Sequence, residues 1–209
     1  MASLRGAALW IGAAVGYLVL EAVAAASFKP GYSYVHNFIS DLGLSSGQLV
    51  HGRLVYFSRH YLMHAAFYLQ GVAFFLGALL MVGIPDNRRA RLFLGTVAAN
   101  AVGNMVIGTV HSGEVHVVGA ALAIVGGNTA ILLGPAALGL VTDRRWYRGI
   151  STLLAAVGLS CLVMLMVLPD GFWERGSVYS IIAWQLLTAT LLLTTRILAT
   201  RRPRSDRCG

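Results

Sequence analysis

Charge is scarce in this chain: only 11% of its 209 residues are Asp, Glu, Lys or Arg, while 57% are hydrophobic. A soluble domain carries roughly a quarter charged residues, so a globule of this composition would have too little polar surface to face water. Cysteine is nearly absent. Cys161 lies inside an apolar run and Cys208 in an arginine-rich tail, which excludes a disulfide framework and implies no redox chemistry. Three catalytic signatures are also missing: the zincin helix, the phosphate-binding glycine loop and the nucleophile elbow. The net charge of +8 does not indicate nucleic acid, because the arginines cluster beside the ends of apolar segments rather than along one face. There they act as topology signals and lipid-headgroup contacts.

What is abundant is apolar sequence in long runs. About 20 helical residues cross the roughly 30 Å of hydrocarbon in a bilayer, and six runs of that order occur, near residues 7–28, 62–84, 92–110, 115–141, 150–168 and 178–198. The reading is a single all-α membrane domain over residues 1–209, a six-helix bundle with a basic cytoplasmic tail at 199–209. Short breaker-rich connections make successive helices antiparallel. Arg5 with the apolar stretch up to Ala24-Ala25-Ala26 has the outline of a secretory signal, but the stretch is long enough to span and is expected to remain as the first helix. Placing the N-terminus in the cytoplasm puts twelve arginines inside and leaves four basic residues outside: Lys29, Arg53, Arg59 and Arg175. The positive-inside rule then sets both termini in the cytoplasm and the protein in the cytoplasmic membrane. The connection from Lys29 to about Tyr61 is the one long loop. Asn37 and Asp41 suit a tight turn there, so an ordered cap on the outer face is expected.

With that orientation all six histidines fall at or near the outer face: His36, His51, His60, His64, His111 and His116. Histidine titrates near neutral pH and is the commonest metal ligand, so His60, His64, His111 and His116 are candidate ligands for a divalent metal. His60 and His64 are four residues apart and share a helix face. His111, Glu114 and His116 crowd one turn. Equal arms of about 20 residues lead from His64 to the cytoplasmic turn and back to His111, so the two rings are expected to meet, with a carboxylate from Glu21, Asp41 or Glu114 nearby. Those three carboxylates are the candidate general bases. Glu21 lies inside the first span, where an ionised carboxylate is costly unless paired, protonated or wet. Asn100, Asn104 and His111 form one helical stripe. Ser177, Ser180, Trp184, Thr188 and Thr195 form another, and both are expected to face the bundle interior. Plain helix-to-helix hydrogen bonding would account for either stripe equally. Asn37, Asp41, Asn100, Asn104 and Trp184 are the candidate ligand-binding residues. Gly119, Ala123 and Gly127, with Gly126, Ala130 and Gly134 on an adjacent row, mark the fourth helix as a closely packed one, and Pro135 should bend it.

The stretch Gly31-Tyr32-Ser33-Tyr34-Val35-His36-Asn37-Phe38-Ile39-Ser40-Asp41-Leu42-Gly43 resembles the signature of the domain-of-unknown-function family 998. Leu62-Met63-His64-Ala65-Ala66-Phe67 with Gln70-Gly71, His116 before Gly119, and Trp173-Glu174-Arg175 leading into Tyr179 and Trp184 agree with it. One departure is His64, where the family commonly shows Asn. The resemblance implies a six-helix membrane fold and no known activity. Combined with the residues above, the expected function is an outward-opening cleft that binds a metal ion, a lipid headgroup or a small polar ligand. Metal-assisted hydrolysis is the reaction class if it is an enzyme, which the sequence leaves open. The competing readings are an accessory subunit or assembly factor partnering other membrane-protein subunits, and then a small-solute or lipid transporter.

Overall fold

A computed structural model describes residues 4–50, 52–57, 59–138 and 145–201. Its frame is six helices: α1 (Leu4–Ala26), α2 (His60–Val82), α3 (Arg88–Thr109), α4 (Gly113–Ala137), α5 (Arg145–Val167) and α6 (Gly171–Arg201). All six are long and apolar enough to cross a membrane. Each begins two to seven residues before its apolar run, because hydropathy marks only the part of a helix that sits in hydrocarbon. The first turns are polar but still helical. Asn87 caps α3 by accepting the Ala90 N–H at 2.9 Å, which lets Arg88 and Arg89 join the helix. α6 begins at Gly171 and carries Glu174 and Arg175 in its first two turns. Within the expected 142–149 connection, residues 142–144 lie outside the described residues, and so does the tail from 202 to 209.

α1, α2, α3, α4 and α6 close a ring of neighbours, and α5 lies outside it against α4 and α6. Small residues set the closest approaches. A Cβ on Gly126 would lie 2.7 Å from both the Asn100 nitrogen and the Thr96 carbonyl oxygen, so that glycine is what allows α4 to rest on the α3 backbone. At one end of the ring the core is aromatic. Trp10 meets Phe74 and Trp184 with ring centroids 4.9 and 5.2 Å apart, and its indole N–H donates to the Phe74 carbonyl at 2.9 Å.

At the other end, residues 27–50, 52–57 and 59 form a cap. The spans are all α, but the cap adds a small antiparallel sheet of β1 (Phe28–Lys29), β2 (Gln48–Val50) and β3 (Arg53–Phe57), in the order β1-β3-β2. Alternation orients β3: Val55 is buried while Leu54 and Tyr56 face out. Gly52, with φ of 76°, makes the turn between β2 and β3. Ahead of this hairpin, the Asn37 and Asp41 side chains fix a turn that leads into a 3-10 segment at Ser40–Gly43. The Asp41 carboxylate accepts the Phe38 N–H at 2.9 Å and the Asn37 amide at 3.3 Å, and the Asn37 carbonyl side chain accepts the Ser33 N–H at 3.0 Å. This drives Ile39 and Leu42, 1% and 0% exposed, into the mouth of the ring.

Candidate functional site

Two buried polar groups lie beneath the cap. The first is centred on Arg175. Its Nη1 donates to the carbonyls of Asn37, Tyr34 and Gly171 at 2.6, 2.9 and 3.2 Å. Its Nη2 donates to Glu21 Oε1 at 3.4 Å and to the Tyr32 hydroxyl. The guanidinium also lies 5.2 and 4.9 Å from the ring centres of Tyr32 and Tyr34, within cation–π range. Glu21, 1% exposed, accepts the Tyr179 hydroxyl at 2.9 and 3.0 Å as well. The costly carboxylate of α1 is therefore paired, and the cation that pairs it holds the cap by its backbone. Burial pushes the Tyr32 phenol above its ordinary pKa, a rise that the neighbouring guanidinium only partly opposes. Tyr32 therefore stays a neutral phenol at physiological pH.

The second group surrounds a cavity of about 40 Å³ inside the ring, room for about three waters at about 10–15 Å³ each. Its polar wall is Tyr17, Gln70, Asn100, Asn104 and Glu174, and Ile39 of the cap forms its roof. Glu174 also accepts the Ile39 backbone N–H, so the carboxylate that lines the cavity also positions the residue that closes it. Side-chain amides make two relays. Gln185 donates to the Trp10 carbonyl at 2.9 Å and accepts from Gln70 at 2.7 Å. Asn100 donates to the Ala123 carbonyl at 2.6 Å and accepts from Asn104 at 3.2 Å.

The histidines gather at the same end without forming a ligand set. His64 and His111 do meet, stacked with centroids 3.9 Å apart and planes 5° from parallel, and His60 stands 5.5 Å from His64. Metal ligands need lone pairs that converge on one point about 2 Å away, whereas parallel stacked rings aim theirs along parallel planes. The Gly43 carbonyl takes a hydrogen bond from His64 Nε2 at 2.7 Å, which ties α2 to the cap, and the Val110 carbonyl takes one from His116 Nδ1 at 2.7 Å. The expected carboxylate does not complete a set: among the described residues no group of three or more His, Cys, Asp or Glu is placed to hold a metal ion. Glu114 is exposed in the first turn of α4, where the helix dipole favours it. His36 pairs with Asp170 at 3.2 Å on the cap surface. His51 lies outside the described residues.

Of the other sequence candidates, Asn100 and Asn104 line the cavity, and Asn37 and Asp41 build the cap turn. Trp184 sits in the aromatic core with its indole N–H on Ser151 Oγ at 3.1 Å. The α6 stripe largely serves as a seam to α5: Thr188 shares a hydrogen bond with Tyr147 at 2.8 Å, and the Ser177 hydroxyl donates to the Gly158 carbonyl. Arg175, Glu174, Tyr179, Gln70 and Tyr17 were missing from the sequence-derived site. A signal for Arg175 was available, since a carboxylate inside a span demands a cation and Arg175 stands at the start of another span.

Six spans among the described residues, five of them closed around a polar interior, define a multi-pass membrane protein. Within that class the chain belongs to the family described as Protein of unknown function (DUF998), whose model matches residues 10–191. This range takes in the cap and every residue of the two buried groups, so the resemblance carried by residues 31–43 is borne out. No curated protein and no solved structure matches the chain.

Proposed function

We propose that the protein is a small-ligand-binding protein of the cytoplasmic membrane, with its site in the cavity under the cap and the cap on the outer face. The observation that carries this reading is a polar wall of Gln70, Asn100, Asn104 and Glu174 around open volume in the middle of an apolar bundle. Polar side chains inside a membrane protein are expensive unless partnered, and they mark ligand or ion sites when they face a cavity. The orientation is supported by the twelve-to-four arginine and lysine bias. The cap fits a closure: Ile39 covers the cavity, and it is held by Glu174 of the cavity wall rather than by the apolar core alone.

Accessibility tests this. On a chain with Cys161→Ala and Cys208→Ser, Ala120→Cys places a thiol in the cavity wall. The expected result is reaction with silver ion, a thiol-reactive cation small enough for the cavity, added on the cap side of intact cells and read as a loss of titratable thiol in the unfolded chain, and no reaction for Ala155→Cys, which is fully buried. Equal silence at both positions contradicts the reading.

A further inference from the structure

We propose that the cavity takes a small monovalent cation bearing N–H donors, of ammonium or methylammonium size. This rests on the cavity being a ligand site and adds the class of ligand. The direction of the amide hydrogen bonds fixes which atoms of the wall are left free. A backbone carbonyl only accepts, so the Trp10 carbonyl fixes which end of Gln185 is the amide nitrogen, at 2.9 Å. Gln185 Oε1 then accepts from Gln70 Nε2 at 2.7 Å. What remains is Gln70 Oε1, which is buried and without a hydrogen-bond partner in a side chain only 4% exposed. The Ala123 carbonyl fixes Asn100 in the same way, at 2.6 Å. Asn104 Nδ2 then donates to the Asn100 backbone carbonyl at 2.9 Å and to its Oδ1 at 3.2 Å. Both of its hydrogens are engaged, and Asn104 Oδ1 receives no donor among the described residues.

Both relays therefore end on an acceptor oxygen of a residue that lines the cavity. Glu174 adds a carboxylate, one oxygen of which takes the Ile39 N–H while the other has no donor among the described residues. Among the described residues no Lys, Arg or His lines the cavity and Glu174 makes no ion pair, Arg175 pairing with Glu21 instead. Apart from the Tyr17 hydroxyl, which can donate as well as accept, the free polar groups of the wall are acceptors with one carboxylate among them, so the wall disfavours anions and its unmet hydrogen-bonding capacity calls for donors. Tyr17 and Phe67 are also in the lining, and aromatic rings tolerate a neighbouring cation. Volume sets the size. About 40 Å³ holds a particle of one to three heavy atoms, which leaves out amino acids, sugars and lipid headgroups.

The test is the thermal unfolding midpoint of the purified full-length protein in detergent, titrated with ammonium, methylammonium, tetramethylammonium, sodium or potassium chloride at matched ionic strength. The expected result is a saturable rise with ammonium and methylammonium, no rise with sodium or potassium, which fit but have no N–H, and no rise with tetramethylammonium, which has no N–H and exceeds the cavity. Glu174→Gln and Gln70→Met should each weaken the apparent affinity by about tenfold or more, the loss expected for a hydrogen bond to a charged group. Ammonium should also slow thiol labelling at Ala120→Cys. A saturable response to sodium or potassium instead would overturn the claim of N–H donors, and no saturable response to any cation would overturn the proposal outright. If Ala120→Cys labels and no cation protects it, the cavity reading stands and this inference falls. If Ala120→Cys does not label, both fall. If Glu174→Gln fails to fold, Gln70→Met decides, because it removes the unpartnered oxygen and disturbs the fold only through the single bond to Gln185.

Discussion

Glu174 and Arg175 are adjacent in the chain but belong to different environments. Arg175 is the hub of a group in which the guanidinium meets a carboxylate, a phenol, three carbonyls and two aromatic faces. Glu174 points to a cavity whose wall retains acceptors without donors. The Arg175 group uses both terminal nitrogens of the guanidinium and leaves only its Nε without a partner, which suits a fastening, whereas the cavity wall keeps acceptors that something else can complete. The contrast separates fastening from site within one turn of one helix.

The strongest way to break this comparison is to remove the hub. Arg175→Met strands the buried Glu21 carboxylate and releases the cap carbonyls, so a loss of about 3–5 kcal/mol is expected in denaturant unfolding. The double variant Glu21→Gln with Arg175→Met should recover much of that loss, because the penalty lies in the unpaired charge. Next in size is the scaffold that places the cavity wall. Gly126→Ala puts a methyl 2.7 Å from the α3 backbone at Asn100 and Thr96 and should cost about 1–3 kcal/mol by overpacking. Gln70→Leu removes the bond to Gln185 between α2 and α6 but also removes the partnerless oxygen. A loss of about 0.6 kcal/mol is expected, the average for such bonds in membrane helices. Smallest is His64→Asn, which restores the residue that the family resemblance leads one to expect and keeps a donor for the Gly43 carbonyl. A change near 0.5 kcal/mol in the unfolding free energy is expected, with no loss of metal in elemental analysis of the purified variant.

The helices were legible because each apolar run approaches the bilayer thickness, and their starts were not, because polar first turns continue the helix outside hydrocarbon. The meeting of His64 and His111 was legible from two arms of equal length about one turn. Their stacking was not, since depth along a helix says nothing of ring orientation. Glu21 announced itself as a carboxylate in a span, but its partner lies 154 residues away, and only the closed ring of helices brings the two together. Helical periodicity put Trp184 and Thr188 on an inward face correctly but did not say which neighbour that face meets. The three strands of the cap, two, three and five residues long, exist through their pairing and left no run long enough to read.

The most direct measurement is the unfolding free energy of Glu174→Gln beside that of Arg175→Met, in the same detergent and by the same denaturant. A glutamine oxygen can still accept the Ile39 N–H, so the account predicts that Glu174→Gln stays within about 1 kcal/mol of the parent while Arg175→Met loses about 3–5 kcal/mol. Equal losses at the two positions would show that Glu174 is part of the fastening and contradict its assignment to a binding site.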